Sequence, residues 1–367
     1  MSLEEINLIW LEGQDCAGCT ISIKQASNPT LIDVVTGAIP GLGGLKLAYH
    51  PTLMFEWGED AAKILIDAME GKYDPFVLIL EGAIPDEAKA GEGVFCGIAD
   101  YEDKLLKLSD VIDGLAKRCA AAVAIGTCAS YGGIPHGNPN PTGARGLLDY
   151  LGKDWTGGLG LPVICVPGCP PRPDNMVQVL GQAVLAARGL APLPELDEWH
   201  RPVALFGSTM HELCPICGYY AGGVDAHDFG EAGCLGALGC KGIISHCNNT
   251  TWVDGYGGCT GTGVPCFGCT EPEFPDPPTS PFFAKAPAEP FITENIAGTL
   301  AHAEMGYERL KPVIDSLLPM VPELLERVVN LLEEFKENKE DWQPLVAGLV
   351  DGLEETMKEG ERKGRTI

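Results

Sequence analysis

Four short, largely apolar runs punctuate the first half of the chain: Asn7–Leu11, Phe76–Leu80, Ala122–Ile125 and Pro162–Val166. Runs of this length bounded by turn residues predict strands buried on both faces, as in a parallel sheet. Between them the apolar positions recur at helical spacing. Leu105, Leu108, Ile112 and Leu115 predict a helix over Tyr101–Lys117. A second helix is predicted from Asp174, as N-cap, to Arg188, with Gly189 as its C-terminal stop. Strands alternating with helices predict a doubly wound α/β domain, in which functional groups gather beyond the carboxyl ends of the strands. The residues that follow the runs are therefore informative: Glu12-Gly13-Gln14-Asp15-Cys16, Glu81-Gly82, Gly126-Thr127-Cys128 and Pro167-Gly168-Cys169.

The pattern changes near Pro192. Residues 207–275 carry Gly and Cys in place of long apolar runs, a composition in which bound metal must stand in for packing. Residues 275–292 are Pro-rich, as a surface-hugging strap would be. Helices are predicted beyond it, over Ile296–Lys336 and Pro344–Lys358. Leu324, Leu325, Val328, Val329, Leu331, Leu332 and Phe335 give the first of these a stripe suited to packing on the body or on a partner chain. Its polar face is Glu-rich, which counts against lying on a membrane surface. Three parts are expected: an α/β domain over 1–191, a metal-rich domain over 192–275, and a strap with a helical extension over 276–367.

At 367 residues the chain exceeds the usual size of one compact domain. A formal net charge of −26 argues against nucleic acid, which is bound through clustered Lys and Arg. The fifteen cysteines change the picture more. A chain with this much apolar material does not need disulfides to hold a core, and C-x2-C spacings favour metal. No signal-like apolar segment follows Met1, and no stretch is long enough to span a bilayer. A cytoplasmic location is expected, with any membrane association made through a partner.

Eleven cysteines and one histidine fall into three sets. Cys16, Cys19, Cys128 and Cys169 lie beyond strand ends, and only the convergence of those ends joins them. His211-x2-Cys214 with Cys234-x5-Cys240 is the second set, open to a zinc ion or to an iron–sulfur cluster with one less anionic ligand. The third is Cys247 with Cys259-x6-Cys266-x2-Cys269, amid Gly255, Gly257, Gly258, Gly261, Gly263 and Gly268. It fits zinc on four cysteines or a four-iron cubane. Thiolates select soft metals, and three such sites in one chain suggest an electron conduit rather than a structural clip. Cys96, Cys119, Cys165 and Cys217 fit no set and read as small buried hydrophobes. His50, His136, His227 and His246 have no cluster of partners and are left unassigned.

In their order along the chain, these stretches resemble one family, the small subunit of nickel–iron hydrogenases. The first half contributes Asp15-Cys16-Ala17-Gly18-Cys19, Glu81-Gly82-Ala83-Ile84-Pro85 and Gly126-Thr127-Cys128-Ala129-Ser130-Tyr131-Gly132-Gly133. Pro139-Asn140-Pro141-Thr142-Gly143-Ala144 and Pro167-Gly168-Cys169-Pro170-Pro171 follow. The second half contributes His211-Glu212-Leu213-Cys214-Pro215, Cys234-Leu235, Leu238-Gly239-Cys240-Lys241-Gly242 and Pro265-Cys266-Phe267-Gly268-Cys269. The likeness covers about residues 5–275.

The resemblance implies a flavodoxin-like N-terminal domain with a proximal [4Fe-4S] cluster on Cys16, Cys19, Cys128 and Cys169. It implies a distal [4Fe-4S] cluster on His211, Cys214, Cys234 and Cys240, and a medial cluster on Cys247, Cys266 and Cys269. Many members carry proline where Cys259 stands and hold a [3Fe-4S] cluster. A cysteine there supplies a fourth ligand, so three [4Fe-4S] clusters are expected and a more uniform, lower-potential chain; without Cys259 the medial one would be [3Fe-4S]. Gly18 and Gly133 stand where oxygen-tolerant membrane-bound members place extra cysteines, so a [4Fe-3S] cluster is not expected. Ile216 and Cys217 replace basic residues at the usual acceptor-docking surface. Glu81 resembles the family's Glu at the large-subunit interface; bracing loops near the proximal cluster and belonging to a proton route are both open to it.

The implied activity is that of a hydrogenase whose Ni–Fe centre lies on an obligate large subunit. Electrons would pass to an external acceptor protein or a quinone-linked subunit, and the C-terminal helices offer a face for further oligomerisation. One rival is the iron–sulfur subunit of a complex I-like or coenzyme F420-linked oxidoreductase, which shares the proximal-cluster domain. Another is a zinc-binding interaction module. The His-x2-Cys half argues against the first, and the number and order of cysteines against the second.

Overall fold

The computed structural model describes residues 5–283 apart from 28, 37, 39–43 and 253–257. The predicted C-terminal helices and their stripe lie outside the described residues. Among the described residues seven strands occur in chain order: β1 (Glu5–Glu12), β2 (Gly44–Tyr49), β3 (Phe76–Glu81), β4 (Gly97–Tyr101), β5 (Lys104–Lys107), β6 (Ala121–Ile125) and β7 (Val163–Val166). Five form one parallel sheet in the order β2-β1-β3-β6-β7, the order of flavodoxin-type sheets.

Alternate side chains of each strand enter opposite cores, which is why the runs read as continuous. Leu8, Trp10, Ile79, Val123 and Val166 pack with Ile23, Met176 and Leu180 from the helices Gly18–Ile23 and Pro173–Ala187. Ile9, Leu11, Leu78, Leu80 and Ala124 pack with Leu65 and Val111 from the helices Gly58–Met69 and Leu108–Leu115. All four predicted strands are present. β2 had escaped because Lys46, which is exposed, breaks the apolar run.

Two predicted helices are corrected. The one expected over Tyr101–Lys117 spans only Leu108–Leu115, because β4 and β5 pair as an antiparallel hairpin. Its turn residues Glu102 and Asp103 both have positive φ, 49° and 60°, as a two-residue hairpin turn of this hand requires. Leu105 continued the helical period by coincidence: it is on β5 and 46% exposed. In the other helix Pro173 takes the first helical position, which makes Arg172 the N-cap and puts Asp174 in the first turn. Gly189 does end it, at φ 70°. The N–H groups of Gly189 and Leu190 donate to Ala186 O and Leu185 O, both at 2.9 Å, a Schellman closure.

Beyond residue 207 the described chain forms only short helical turns around a small core of Ala226, Leu235 and Leu238. Cys119 and Cys165 are buried as expected and Cys96 is half-buried. Cys217 is exposed instead, because it opens the short helix Cys217–Ala221, which buries none of its residues.

Candidate metal centres

Register decides where the first thiols go. Glu12 aligns with Glu81, Glu81 with Ile125, and Ile125 with Val166, so four neighbouring strands end level with one another. The loops that leave them are clasped in pairs. Gly13 N–H donates to Glu81 O at 2.7 Å, and Gln14 and Ala83 exchange backbone bonds at 2.9 and 3.1 Å. Thr127 N–H donates to Gly168 O at 3.0 Å, while Gly168 N–H donates to Thr127 Oγ1 at 2.9 Å. These clasps gather Cys16, Cys19, Cys128 and Cys169 although up to 153 positions separate them. Burial pushes Cys128 up to about 12, and the Cys169 and Cys16 thiols add to the rise. Burial raises Cys19 further, with Glu81, Cys128, Cys169 and Cys16 adding to it.

The site also fits a bulky thiolate-bound group through its glycines. A Cβ on Gly126 would lie 2.6 Å from Cys19 Sγ, and one on Gly133 2.9 Å from Cys128 Sγ. Gly126 has φ 88°, where a side chain is strained in any case. Among the described residues no three His, Cys, Asp or Glu side chains converge on a single metal-ion position. A set of soft donors around a larger volume suits a group in which several metal atoms lie between the thiolates. Binding would deprotonate these thiols and remove their mutual penalty.

Glu81 is 1% exposed and holds this loop in place. The helix Gly18–Ile23 starts after Ala17, which has φ 56° and no side chain able to cap it. Glu81 caps from another strand: Oε1 accepts the N–H of Cys19 at 2.9 Å, and Oε2 accepts that of Thr20 at 3.1 Å. Oε2 also accepts Thr20 Oγ1–H at 2.6 Å and Trp10 Nε1–H at 3.2 Å. Asp15 lies at the same edge, where burial pushes it up to about 7, with Glu81 and Glu12 adding to the shift.

His50, unassigned from sequence, stands behind Thr20. Thr52 N–H donates to its Nδ1 at 3.2 Å, so the proton is on Nε2, which donates to Thr20 Oγ1 at 3.2 Å. Burial pushes His50 down from 6.5 to about 4. Between these values the unfolded chain takes up a proton that the folded site refuses. Its stabilising contribution is complete above pH 6.5 and drains away as pH falls toward 4, by on the order of 3 kcal/mol at about 1.4 kcal/mol per unit. Denaturation across this range should show a steeper acid-side loss for the wild type than for His50→Gln; equal slopes would count against this account.

The other two sets are placed by contacts no spacing could show. Thr127 Oγ1 donates to Cys269 O, so the third set lies against the first. Cys266 N–H donates to Cys240 Sγ at 3.3 Å, so the second set lies against the third. Cys214 Sγ is 3.2 Å from Thr260 Oγ1, beside Cys259. The spatial order is thus first, third, second. Burial raises Cys266 to about 12, while Cys240 and Cys259 add to it. Burial also raises Cys269, with Cys247, Cys266 and Cys259 contributing. Cys259 accepts from Asn249 Nδ2 at 3.9 Å, and its charge is felt by Cys240 as well as by the third set. In the second set, burial raises Cys234, and Cys240 and Cys214 add. A Cβ on Gly242 would stand 3.4 Å from Cys240 Sγ and 3.5 Å from His211 N, so the backbone of His211 lies near Cys240. The His211 ring meets Tyr220 edge-on at 4.7 Å.

Sequence reasoning missed the residues that connect the sets. Thr127 carried no signal beyond its place in a turn. Arg201, 3% exposed, and Glu271 form a buried pair at 3.3 Å beside the third set. Burial alone would raise Glu271, but hydrogen bonds from His246 and the Arg201 charge outweigh it and hold the carboxyl below its ordinary value.

The chain is similar to known proteins in both halves. Residues 16–183 match the family described as NADH ubiquinone oxidoreductase, 20 Kd subunit, and residues 206–283 match the family of the C-terminal part of the NiFe/NiFeSe hydrogenase small subunit. The periplasmic [NiFeSe] hydrogenase small subunit of Desulfomicrobium baculatum is 36% identical over 75% of this chain and 86% of its own length. An F420 non-reducing hydrogenase I small subunit of Methanosarcina mazei is 30% identical over 83% of this chain and 82% of its own. The actinobacterial-type NiFe-hydrogenase of Ralstonia eutropha H16 superposes with a TM-score of 0.75 at 37% identity, covering 84% of this chain and 92% of that one. With the strand-end thiols in one half and the hydrogenase-type cysteine segment in the other, the chain belongs to the nickel–iron hydrogenase small-subunit family.

Proposed function

We propose that the chain is the electron-relay subunit of a nickel–iron hydrogenase: hydrogen is split at a Ni–Fe centre on a partner large subunit, and the electrons leave through this chain to an external acceptor. The observation that carries this reading is the end-to-end contact of the three sets, first to third through Thr127 and Cys269, third to second through Cys266 and Cys240. Cys16, Cys19, Cys128 and Cys169 then hold a proximal [4Fe-4S] cluster. Cys247, Cys259, Cys266 and Cys269 hold a medial [4Fe-4S] cluster, and His211, Cys214, Cys234 and Cys240 a distal one. Bound there, the clusters supply one-electron redox chemistry.

The chain's own residues orient and dry the sites. Glu81 and the Thr127 clasp fix the loops of the first. Phe267, between Cys266 and Gly268, packs against Phe282 and Phe283 at ring separations of 5.6 and 4.8 Å, which keeps water from the third. Cys16 and Cys169 are exposed at the carboxyl edge, and Ile21, Phe55 and Trp57, in the segments that follow β1 and β2, are exposed as well. Exposed apolar side chains of this kind suit contact with the large subunit. In this reading the acceptor docks at the His211 end, which the exposure of Leu213, Tyr219, Tyr220 and Val224 supports.

The division at 1–191, 192–275 and 276–367 belongs to the same reading. So does a cytoplasmic location with membrane association through a partner: Cys96, Cys119, Cys165 and Cys217, which lie outside the three sets, form no disulfide, as a reducing compartment favours. Among the described residues no helix is long and apolar enough to cross a membrane. Anaerobic co-purification with a nickel-binding large subunit tests the function. Three reducible iron–sulfur signals and hydrogen-dependent dye reduction are expected. Zinc without reducible iron, or a complex inert toward hydrogen, would sink the proposal.

A further inference from the structure

Glu271 belongs to no ligand motif, yet two chain segments meet at its carboxylate, which is 7% exposed. Oε1 accepts the backbone N–H of His246 at 2.5 Å and the Thr270 hydroxyl at 3.2 Å, and Oε2 lies 3.4 Å from His246 Nδ1. His246 immediately precedes Cys247, and Glu271 follows Cys269 by two residues. One side chain therefore staples the segment carrying Cys247 to the segment carrying Cys269.

The staple is itself anchored to the sheet. Arg201 Nη1 donates to the two Glu271 oxygens at 3.4 and 3.3 Å and to Thr270 O at 3.4 Å. Its Nε donates to Asp197 Oδ2 at 2.6 Å. Asp197 Oδ1 accepts the backbone N–H groups of Arg201 and Trp199 at 2.8 and 3.0 Å, which closes the turn. Cys165 N–H, on β7, donates to His200 O at 2.9 Å. An unbroken line of hydrogen bonds thus runs from the strand that leads to Cys169 to both ends of the third set.

We propose that Glu271, anchored by Arg201, is a positioning residue for the middle site: it fixes the separation of Cys247 and Cys269 and sets a buried charge beside the group they hold. The inference rests on reading the third set as a cluster site. Charges act strongly where water is excluded. The potential of an iron–sulfur group follows the net charge and hydrogen bonding around it. A clamp without an electrostatic role would leave that potential where it was. The charged staple moves it in a direction set by the charge removed: up for Glu271→Gln, which deletes a negative charge and keeps an acceptor for His246 N–H, and down for Arg201→Gln.

The test is an anaerobic redox titration of the assembled complex, followed by electron paramagnetic resonance, with iron content measured alongside. The middle signal is expected to titrate higher in Glu271→Gln, lower in Arg201→Gln and close to wild type in Arg201→Lys, with the other two signals unmoved. Loss of the middle signal alone in Arg201→Gln, restored by Arg201→Lys, would also support the proposal. Unshifted middle potentials in both charge-deleting variants overturn it. Loss of all three signals in every variant overturns it too, since the network would then be a general staple of the fold. A wild-type complex without iron–sulfur signals overturns the cluster reading itself, so the two failures are distinguishable.

Discussion

Replacing Glu81 by leucine is expected to destabilise the protein by on the order of 4 kcal/mol and to empty the first site. The carboxylate satisfies the N–H groups of Cys19 and Thr20, the Thr20 hydroxyl and the Trp10 indole. Thr20 Oγ1 has Glu12 Oε1 at 3.4 Å and can turn to it, but the other three donors have no replacement in a leucine. Each buried donor left without an acceptor costs about 1–3 kcal/mol. Two of them open the short helix that carries Cys19, so the cost falls on the loop that presents a thiol. Glu81→Gln keeps one acceptor oxygen and is expected to keep the cluster and most of the hydrogen-dependent dye reduction, with a smaller loss of stability. Thermal unfolding, iron content and turnover of both variants check this. The pair also separates the two roles open to Glu81. If its task were to pass protons, the glutamine variant would be as inactive as the leucine variant while remaining folded and loaded with iron.

In Cys259→Pro the third site should lose one iron and show a [3Fe-4S] signal on oxidation, at a higher potential than the native group. Cys259 starts the turn Thr260–Thr262 and is followed by Gly263 at φ 83°. The Val264 N–H donates back to Cys259 O at 2.8 Å, so the loop is closed by backbone bonds that do not involve the Cys259 N–H. Proline lacks only that N–H, and the φ of −60° at Cys259 is the one its ring imposes. The substitution therefore removes a thiolate with little change in the backbone. The site keeps Cys247, Cys266 and Cys269, a three-thiol set. A native protein that already shows a strong [3Fe-4S] signal after anaerobic preparation would refute the fourth-ligand argument.

Much of the fold was legible because its signals are local. Apolar runs such as Phe76–Leu80 report burial on both faces wherever the chain later places them, and Gly189 marks a helix end by its own conformational freedom. The limits have equally particular causes. Leu105 kept a helical period on a strand because two-residue turns form with Glu102 and Asp103 as well as with glycine. β2 escaped because the exposed Lys46 interrupts its apolar run. Within the sites, C-x2-C spacing singled out thiols suited to metal, and strand-end convergence joined Cys128 and Cys169 to Cys16 and Cys19.

By itself, then, the sequence determined the kind of donors and their approximate address: a set of soft thiols beyond the carboxyl ends of a parallel sheet, and two more sets in a glycine-rich segment with few long apolar runs. The family resemblance implied how those sets follow one another, and only the tertiary structure supplied the contacts that place them so. The third set in sequence is the middle one in space, because Thr127 meets Cys269 across 142 positions and Cys266 meets Cys240 across 26. It also decided that Glu81 acts as a helix cap supplied by a neighbouring strand, and that Glu271 and Arg201 are buried together. A ligand's identity is written in one residue and its close neighbours. A hydrogen bond between segments far apart along the chain depends on register, burial and loop closure together, and no pattern along the chain encodes it.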